Sequence, residues 1–333
     1  MIRLAQTISV HDASEVANAR RTAAACAAAL HLSETSAGRA ALVATELATN
    51  LIKHAGGGSL LFGSNEKMLA IVSLDRGRGL MNVSAALSDG YSTVGTAGTG
   101  LGAVRRASAS FDVYAFPDRG TAVFATIEDA ALPAPLLQAP SRMVAGGVSI
   151  PKTGEEQNGD AWTANLGREM VTVAVADGLG HGPAAATAST AATRVIAERF
   201  DQPLEHILQD AHGALRPTRG AAVGIARVYL AAGRADFIGA GNIAGTIVTD
   251  DTMRKMVSLP GIVGHEMRKV QSFSYPWLAS SVLILQSDGV SANWNAVNYP
   301  GLMQHEPALI AAVLYRDHCR GTDDATVVVA KAS

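Results

Sequence analysis

The chain has 333 residues, of which 48% are hydrophobic and 17% charged, so it is long enough for two globular domains with cores of their own. Its formal net charge of -2 predicts neither nucleic acid nor an anionic membrane as a partner. Two cysteines, Cys26 and Cys319, cannot build a disulfide framework, which favours a reducing, cytoplasmic setting. We expect no signal peptide and no transmembrane segment, because no basic head precedes an apolar run and no window is apolar enough to span a bilayer.

The first part of the chain predicts alternating helices and strands, in a domain that covers residues 1–129. In chain order the predicted elements are helices at about 13–30 and 34–55, the strands "GSLLFGSN" and "MLAIVSLD", a helix around 100–110, and the hairpin "FDVYAFPDRGTAVFATIE". This order predicts helices packed on one face of a mixed sheet.

A proline-rich stretch at residues 130–142, "AALPAPLLQAPSR", predicts a linker, because prolines cannot donate ladder hydrogen bonds and favour extended chain. The second domain, residues 143–333, is richer in strands. Its predicted strands are "MVAGGVSIPK", "MVTVAVAD", "AAVGIARVYLA", "RADFIGAGNIAGTIVTD", "SSVLILQSDG" and "ATVVVAK". Its predicted helices are "AAATASTAATRVIAERF", about 204–215, and one near 305–318. Many strands with few helices predict an α+β sandwich.

A carboxylate and an amide share one face of the second predicted helix. Glu46 and Asn50 are four residues apart in "ATELATNLIKHAGGG". The Asn50 amide oxygen can hold Mg²⁺ while nucleotide phosphates complete its coordination shell. The Glu46 carboxylate can accept a proton from an attacking hydroxyl group. Lys53 lies one turn later and is a further candidate cofactor-binding residue. Taken alone, a pair such as Glu46 and Asn50 is usually part of a solvated helix face.

Glycine-rich turns follow the pair and are suited to a nucleotide. In "SLDRGRGL", Asp75 at a strand end can accept the exocyclic amine of an adenine, while Gly77 and Gly79 let the backbone close around the base. Further along, glycines lead into a predicted helix whose free N–H groups and positive end suit a triphosphate. These glycines are Gly95, Gly98, Gly100 and Gly102.

Together these segments resemble the ATP-binding fold of histidine kinases and Hsp90-type ATPases (the GHKL type), which is an α/β sandwich. The resemblance covers most of residues 10–128 and is closest to the serine kinases and anti-sigma factors of bacterial partner-switching systems. It implies that ATP with Mg²⁺ is bound, with Glu46 as the base, Asn50 as the Mg²⁺ ligand, Asp75 as the adenine anchor, and the glycines as nucleotide loops. One departure is Arg78, where the switch kinases usually carry proline.

Aspartates recur where apolar strands of the second domain end or begin. They are Asp160 in "QNGDAW", Asp177 in "VAVADGLGHG", Asp288 in "LILQSDGVS", and Asp323 with Asp324 in "GTDDATVVVA". Buried carboxylates that converge need cations to compensate their charge. All-oxygen ligation indicates Mg²⁺ or Mn²⁺ rather than zinc, and two such ions can activate a water and clamp a phosphoryl group. Any single Asp-Gly pair can equally be an ordinary turn.

The C-terminal motifs resemble the metal-dependent PPM phosphatases (protein phosphatase 2C-like), in their bacterial SpoIIE-type branch, whose fold is an α-β-β-α sandwich. The matching segments, over about residues 143–331, are "NGDAW", "VADGLGHGPAAATAS", "GAGNIAG", "SLPGIVG", "SDGVS" and "DDATVVVAK". Within this branch the chain looks closest to the short phosphatase that resets a stressosome STAS scaffold.

The phosphatase resemblance implies two Mn²⁺ or Mg²⁺ ions and a role for each acid. Asp177 would bridge both ions, with the Gly178 carbonyl as a further ligand. Asp160 would hold a metal-bound water. The remaining metal candidates are Asp288, Asp323 and Asp324, with Asp323 weighted above Asp324 because many eukaryotic relatives have asparagine at the latter position.

The general acid and the substrate clamp stay open at this point. The eukaryotic enzymes place a proposed acid histidine two residues after the bridging aspartate, where this chain has Leu179. His181 is therefore a catalytic candidate, although it can also simply cap the helix that Pro183 opens. Lys152 is a weak candidate for binding the phosphate group, since the chain shows no obvious phosphate-binding arginine before "NGDAW".

The two resemblances imply a partner-switching regulator of bacterial stress signalling. The phosphatase domain would dephosphorylate serine or threonine on a STAS-domain protein of the anti-anti-sigma or stressosome type, and the ATP-binding domain would phosphorylate the same kind of partner. A sigma factor or another output protein would lie downstream. Two alternatives stay open: the ATP-binding domain is a non-catalytic module that sequesters its partner, as anti-sigma factors do, or the phosphatase half is a regulatory relic.

Overall fold

The structure, a computed structural model, is described here for residues 1–81, 83, 100–129 and 143–333. The chain divides into an N-terminal unit of residues 2–137 and 304–313, and a C-terminal unit of residue 1 with residues 138–303 and 314–333. The predicted linker at 130–142 lies outside the described residues, so the domain limits 1–129 and 143–333 stay predictions. Within the described part, no helix has the length and apolar character needed to cross a membrane.

Residues 2–128 of the N-terminal unit contain two long helices, one short helix and five strands among those described. They are β1 (Ile2–Val10), α1 (Ala13–Ala29), α2 (Glu34–Asn50), β2 (Gly58–Ser64), β3 (Met68–Leu74), α3 (Gly100–Ala107), β4 (Ser110–Ala115) and β5 (Thr121–Glu128). A π-helical turn, Leu51–Ala55, continues α2, so the predicted second helix is α-helical only to Asn50. Gly56 ends this turn with a φ of 72°, a conformation that glycine adopts without strain.

The strands of this unit form a sheet in the order β1-β2-β3-β5-β4. Every described pair is antiparallel, whereas the sequence predicted a mixed sheet; the short connections from β2 to β3 and from β4 to β5 favour antiparallel hairpins. Apolar residues of the sheet such as Phe62 and Ile71 are buried against alanines of both long helices. Helices therefore cover one face of the sheet, as predicted.

Local sequence explains where the two long helices begin. Asp12 caps α1 by accepting a hydrogen bond from the Ser14 N–H, and Glu15 completes a capping box. Ser33 caps α2 by accepting from the Ser36 N–H. Strand β1 was not predicted, although apolar or neutral residues at every second position carry its period-two signal.

The C-terminal unit is dominated by strands. They are β6 (Met143–Ile150), β7 (Asp160–Leu166), β8 (Met170–Gly178), β9 (Ala221–Tyr229), β10 (Arg234–Ala240), β11 (Ala244–Thr249), β12 (Thr252–Met256), β13 (Phe273–Pro276), β14 (Val282–Gln286) and β15 (Ala325–Ala332). Its helices are α4 (Pro183–Glu198) and α5 (Leu204–Leu215), and α6 (Pro307–His318) lies between β14 and β15 in the chain. The predicted helices are all present; β7, β12 and β13 were not predicted.

Two antiparallel layers build the core of this unit. One layer has the strand order β13-β10-β9-β8-β7, and the other has β12-β11-β14-β15-β6. Apolar side chains of both layers, among them Val173 and Val228 from the first and Leu285 and Val328 from the second, are fully buried in one cluster. The opposite face of the first layer packs with α4 and α5 in a second cluster. The predicted α+β sandwich is confirmed.

One predicted strand is in fact two. The stretch "RADFIGAGNIAGTIVTD" forms β10 in one layer and β11 in the other. Gly241 separates them with a φ of 100°, and a Cβ there would lie 2.5 Å from the Cβ of Ala222. Only glycine fits this crossing between layers, which an apolar pattern alone does not reveal.

Candidate functional site

Strand pairing brings the predicted acids of the C-terminal unit to one end of the two layers. Asp160 begins β7 and lies directly opposite Asp177 of β8 in the antiparallel register. Asp288 follows β14, and the neighbouring acids Asp323 and Asp324 immediately precede β15, which pairs with β14. In an antiparallel pair the end of one strand lies beside the start of its neighbour, so all five acids come to the same region.

Ser287, which sequence analysis did not select, links the two layers at this point. Its Oγ donates a hydrogen bond to Asp160 Oδ2 at 2.6 Å and accepts one from the Thr326 N–H at 3.0 Å. Asn242 has a similar role, because its side-chain amide donates to Asp288 Oδ2 at 2.7 Å. These contacts hold the carboxylates in fixed orientations. Isolated polar residues of this kind carry no sequence pattern that could have indicated them.

Two carboxylate oxygens of this acid cluster are buried without compensation. Asp160 is 5% exposed and Asp324 is 4% exposed. Their atoms Asp160 Oδ1 and Asp324 Oδ2 have no hydrogen-bond partner among the described residues, whereas Asp324 Oδ1 accepts from the Lys152 N–H at 2.9 Å. A buried oxygen without a partner is costly, so each of these atoms is suited to receive a cation or a water.

Electrostatics in the acid cluster favour protonation when no cation is present. Burial, together with the charges of Asp324 and Asp288, raises the pKa of Asp160 to about 7 against the lowering effect of the Ser287 hydrogen bond. Burial and then the neighbouring acids raise the pKa of Asp177 to about 8. Burial also raises the pKa of Asp288 and Asp324, with Asp323 contributing to both. The five acids therefore act as one electrostatic group.

Close backbone approach fixes the shape of the cluster. A Cβ on Gly159 would lie 2.5 Å from Asp324 Oδ2, and a Cβ on Gly178 would lie 2.1 Å from the carbonyl oxygen of Ala185 in α4. The Gly178 N–H donates to the Gly159 carbonyl at 3.1 Å. Helix α4 can approach the end of β8 only because these positions lack side chains.

The residues present fit hard divalent cations. Their donors are carboxylate and carbonyl oxygens, which Mg²⁺ and Mn²⁺ prefer, and two of the oxygens are buried without a partner. Among the described residues, no three His, Cys, Asp or Glu side chains already converge as metal ligands. Mutual repulsion of carboxylates disfavours such convergence until a cation compensates their charge.

The raised pKa values predict how the metal-free protein responds to pH. Asp160 and Asp177 release their protons near 3.8 in the unfolded chain but near 7 and 8 in the folded protein. Between these limits the folded state binds more protons, so the free energy of unfolding falls as pH rises, by several kcal/mol in total. Thermal unfolding in EDTA between pH of about 5 and about 8 measures this loss; a constant unfolding temperature over that window would contradict it.

His181 does not cap a helix. Gly182 is the N-cap residue of α4, no side chain caps it, and Pro183 occupies the first turn. Instead His181 Nδ1 lies 2.6 Å from Glu155 Oε1, at the rim of the acid cluster, with the two side chains 47% and 28% exposed. Glu155 was not predicted as a site residue. Leu179, which takes the place of the eukaryotic histidine, is 39% exposed.

In the N-terminal unit, the predicted base and magnesium ligand face the start of α3. A Cβ on Gly100 would lie 3.2 Å from Asn50 Oδ1 and 3.6 Å from Glu46 Oε2. Gly102 is buried as the third residue of α3, and Lys53 is exposed in the π-helical turn. Gly95 and Gly98 lie outside the described residues. Gly100 thus lies against the pair that the sequence singled out.

Asp75 is fixed by the backbone of its own turn. Its Oδ1 accepts hydrogen bonds from the Gly77 N–H at 2.8 Å and from the Thr121 N–H at 3.1 Å. Gly79 has a φ of 69°, and a Cβ there would lie 2.3 Å from the Phe116 carbonyl oxygen. The two glycines let the turn fold tightly around this carboxylate.

Two family models match the chain. Residues 10–127 match the histidine kinase-like ATPase domain, and residues 167–333 match stage II sporulation protein E (SpoIIE). A curated relative is the serine/threonine-protein kinase RsbT of Bacillus subtilis, 31% identical over 83 residues, which are 24% of this chain. The match spans 62% of that relative's length.

Several solved structures are similar to the chain. One, described as "The bacterial stressosome: a modular system that has been adapted to control secondary messenger signaling", has a TM-score of 0.53 and 25% identity over 57% of this chain and 99% of its own. RsbX in complex with magnesium has a TM-score of 0.51 and 19% identity, over 59% of this chain and 98% of its own. The phosphatase domain of SpoIIE from Bacillus subtilis, with a fragment of its regulatory domain, has a TM-score of 0.50 and 17% identity, over 80% of this chain and 79% of its own. The last two establish similarity of fold.

Proposed function

The chain belongs to the SpoIIE family through residues 167–333 and carries a histidine kinase-like ATPase domain at residues 10–127. On that premise we propose that it is a partner-switching regulator with two opposed activities. The C-terminal domain is a metal-dependent phosphatase of phosphoserine and phosphothreonine in a STAS-domain protein. The observation that carries this proposal is the acid cluster, in which two buried oxygens, Asp160 Oδ1 and Asp324 Oδ2, have no partner among the described residues.

The chemistry of the phosphatase site follows from its donors. The groups that would hold two Mg²⁺ or Mn²⁺ ions are Asp177, the Gly178 carbonyl, Asp288 and Asp323, with Asp324 beside them. Bound there, the ions supply a water of lowered pKa and neutralise phosphoryl charge. Asp160, held through Oδ2 by Ser287, offers Oδ1 to orient the attacking water. Hydrolysis is then a direct in-line displacement without a phospho-enzyme.

The N-terminal domain is the matching protein serine/threonine kinase. Glu46 accepts the proton of the acceptor hydroxyl, and Asn50 is the side chain that would hold Mg²⁺ with the nucleotide. Their closeness to Gly100, the first residue of α3, supports this role, because a helix N-terminus favours phosphate groups. Asp75 binds the adenine. The name of the relative RsbT, a serine/threonine-protein kinase, agrees with this assignment.

The other candidate is a non-catalytic ATP-binding module that sequesters a partner such as a sigma factor and regulates the phosphatase. Arg78 favours it, because this exposed residue stands between Gly77 and Gly79 where the switch kinases usually carry proline. A turn with more conformational freedom lowers the rate of phosphotransfer more than it lowers the affinity for ATP. Glu46 favours the kinase, since sequestration alone requires no base.

A labelling experiment tests both activities. Candidate STAS-domain proteins are incubated with the full chain, radiolabelled ATP and Mn²⁺; we expect label to reach a serine or threonine of one of them and then to be removed. EDTA added after labelling should stop the removal. Removal at an unchanged rate in EDTA would overturn the metal-dependent phosphatase, and absence of label from every candidate would overturn the kinase.

A further inference from the structure

An acid–histidine pair lies at the rim of the acid cluster. His181 Nδ1 is 2.6 Å from Glu155 Oε1, the distance of a short charge-assisted hydrogen bond. The other carboxylate oxygen, Glu155 Oε2, passes Gly182 so closely that a Cβ there would lie 2.8 Å from it. Glu155 therefore bonds to His181 and lies beside Gly182, and its negative charge is at the N-terminus of α4, where it is favourable.

Both loops that supply the pair are anchored to candidate metal-binding residues. The loop with Glu155 begins at Lys152, whose N–H donates to Asp324 Oδ1 at 2.9 Å, and ends at Asp160. The Lys152 carbonyl accepts a hydrogen bond from the Glu155 N–H at 2.9 Å. The loop with His181 leaves β8 directly after Asp177 and Gly178. The position of the pair is thus tied to the position of the acids.

The short contact fixes the proton arrangement of the ring. A carboxylate can only accept, so Nδ1–H of His181 donates to Glu155, and Nε2 is the nitrogen left to exchange a proton with a ligand. The ring is half-exposed, so a phosphoprotein docking on the acid cluster can reach it. His181 also interacts electrostatically with Asp324. Burial raises the pKa of the Asp324 carboxyl, and His181 lowers it.

We propose that Glu155 is the positioning residue of the phosphatase site, holding His181 so that its Nε2–H protonates the serine or threonine oxygen that leaves phosphorus. This inference rests on the proposed phosphatase function and supplies the general acid that the sequence left open. Glu155 does not touch the reacting atoms and acts through the histidine.

The step balances as a hydrolysis. The oxygen of a water molecule bonds to phosphorus, and the bond from phosphorus to the side-chain oxygen breaks with its electron pair on that oxygen. Nε2 of protonated His181 gives its proton to the oxygen, which leaves as the neutral hydroxyl of serine or threonine. The proton lost by the attacking water passes to solvent, and His181 regains one from solvent.

A leaving-group comparison separates this role from a structural one. A serine alkoxide is strongly basic and needs the proton, whereas p-nitrophenolate leaves without it. In the full chain with Mn²⁺, we expect His181→Ala to lower kcat/KM for a phosphoserine peptide by about 10²-fold, and Glu155→Gln by about 10-fold. Neither variant should change kcat/KM for p-nitrophenyl phosphate by more than about 3-fold. Added imidazole should restore part of the peptide activity of His181→Ala.

Controls make each outcome decisive. Glu156→Gln changes the adjacent exposed carboxylate and should behave as the wild type on both substrates. In the double variant of Glu155→Gln with His181→Ala, the loss should equal that of His181→Ala alone, because Glu155 acts only through the histidine. Equal losses on both substrates, or an unchanged peptide rate in His181→Ala, would overturn the inference. Wild-type protein that hydrolyses neither substrate would instead overturn the phosphatase function itself. His181→Gln provides a second test if His181→Ala does not fold.

Discussion

Asp177→Asn is expected to abolish metal-dependent hydrolysis of a phosphoserine substrate, with a loss in kcat/KM of about 10³-fold or more. Asp177 lies opposite Asp160 in the β7–β8 register and is surrounded by the other acids of the cluster. The amide has nearly the same shape but cannot supply the negative charge that a cation requires at this point. Initial rates with Mn²⁺ and a phosphoserine peptide measure the loss.

A stability measurement separates the electrostatic cause from misfolding. Because burial and the neighbouring acids raise the pKa of Asp177 to about 8, its replacement by a neutral amide should stabilise the metal-free protein above neutral pH, by several kcal/mol. The increase in Tm that Mn²⁺ gives to the wild type should disappear in the variant. Asp201→Asn, at an exposed position, is the matched control and should retain activity and the Mn²⁺ response. Full hydrolysis by Asp177→Asn would remove this residue from the site.

Glu46→Gln is expected to abolish phosphotransfer to the partner while leaving ATP binding intact. The carboxylate lies on the same face of α2 as Asn50, beside the first residue of α3, and the amide cannot accept the proton of the acceptor hydroxyl. Loss of a general base lowers the rate by about 10²–10⁴-fold. Transfer of radiolabel from ATP to a STAS-domain protein measures the rate, and equilibrium binding of ATP with Mg²⁺ measures affinity.

The same variant distinguishes a kinase from a binding module. Glu34→Gln changes an exposed carboxylate in the first turn of the same helix and serves as the control for transfer. If wild-type protein binds its partner in an ATP-dependent manner, and Glu46→Gln keeps that affinity with no transfer to lose, the sequestering module is the correct reading. If Glu46→Gln transfers label as fast as wild type, Glu46 is not the base.

Most elements of the fold could be predicted from local pattern. The helices α1, α2, α4 and α5 are long, periodic segments, and capping residues such as Asp12 and Ser33 begin the first two. Strands β8 and β14 are continuous apolar runs that match buried central strands. Strands β7 and β13 were not predicted, because polar or short segments form strands only through pairing with neighbouring strands.

The acids of the candidate site could also be predicted from local sequence pattern. The residues that they contact in the folded protein could not. Asp177 and Asp288 each follow an apolar run and precede glycine, so the sequence alone placed them at strand ends and, through the resemblance, in a metal-dependent phosphatase. Their assignment as ligands stays a prediction. That Asp160 lies opposite Asp177 was decided by strand register, which depends on pairing between segments distant in sequence.

The sequence by itself determined the class of each domain, because hydrophobic periodicity and glycine-acid motifs are local properties of the chain. Only the tertiary structure decided which polar side chains complete the sites. Ser287 meets Asp160 across 127 positions of sequence, and Glu155 meets His181 across 26. Such contacts depend on how two layers and two loops pack, and a hydrogen bond between side chains leaves no spacing rule in the sequence.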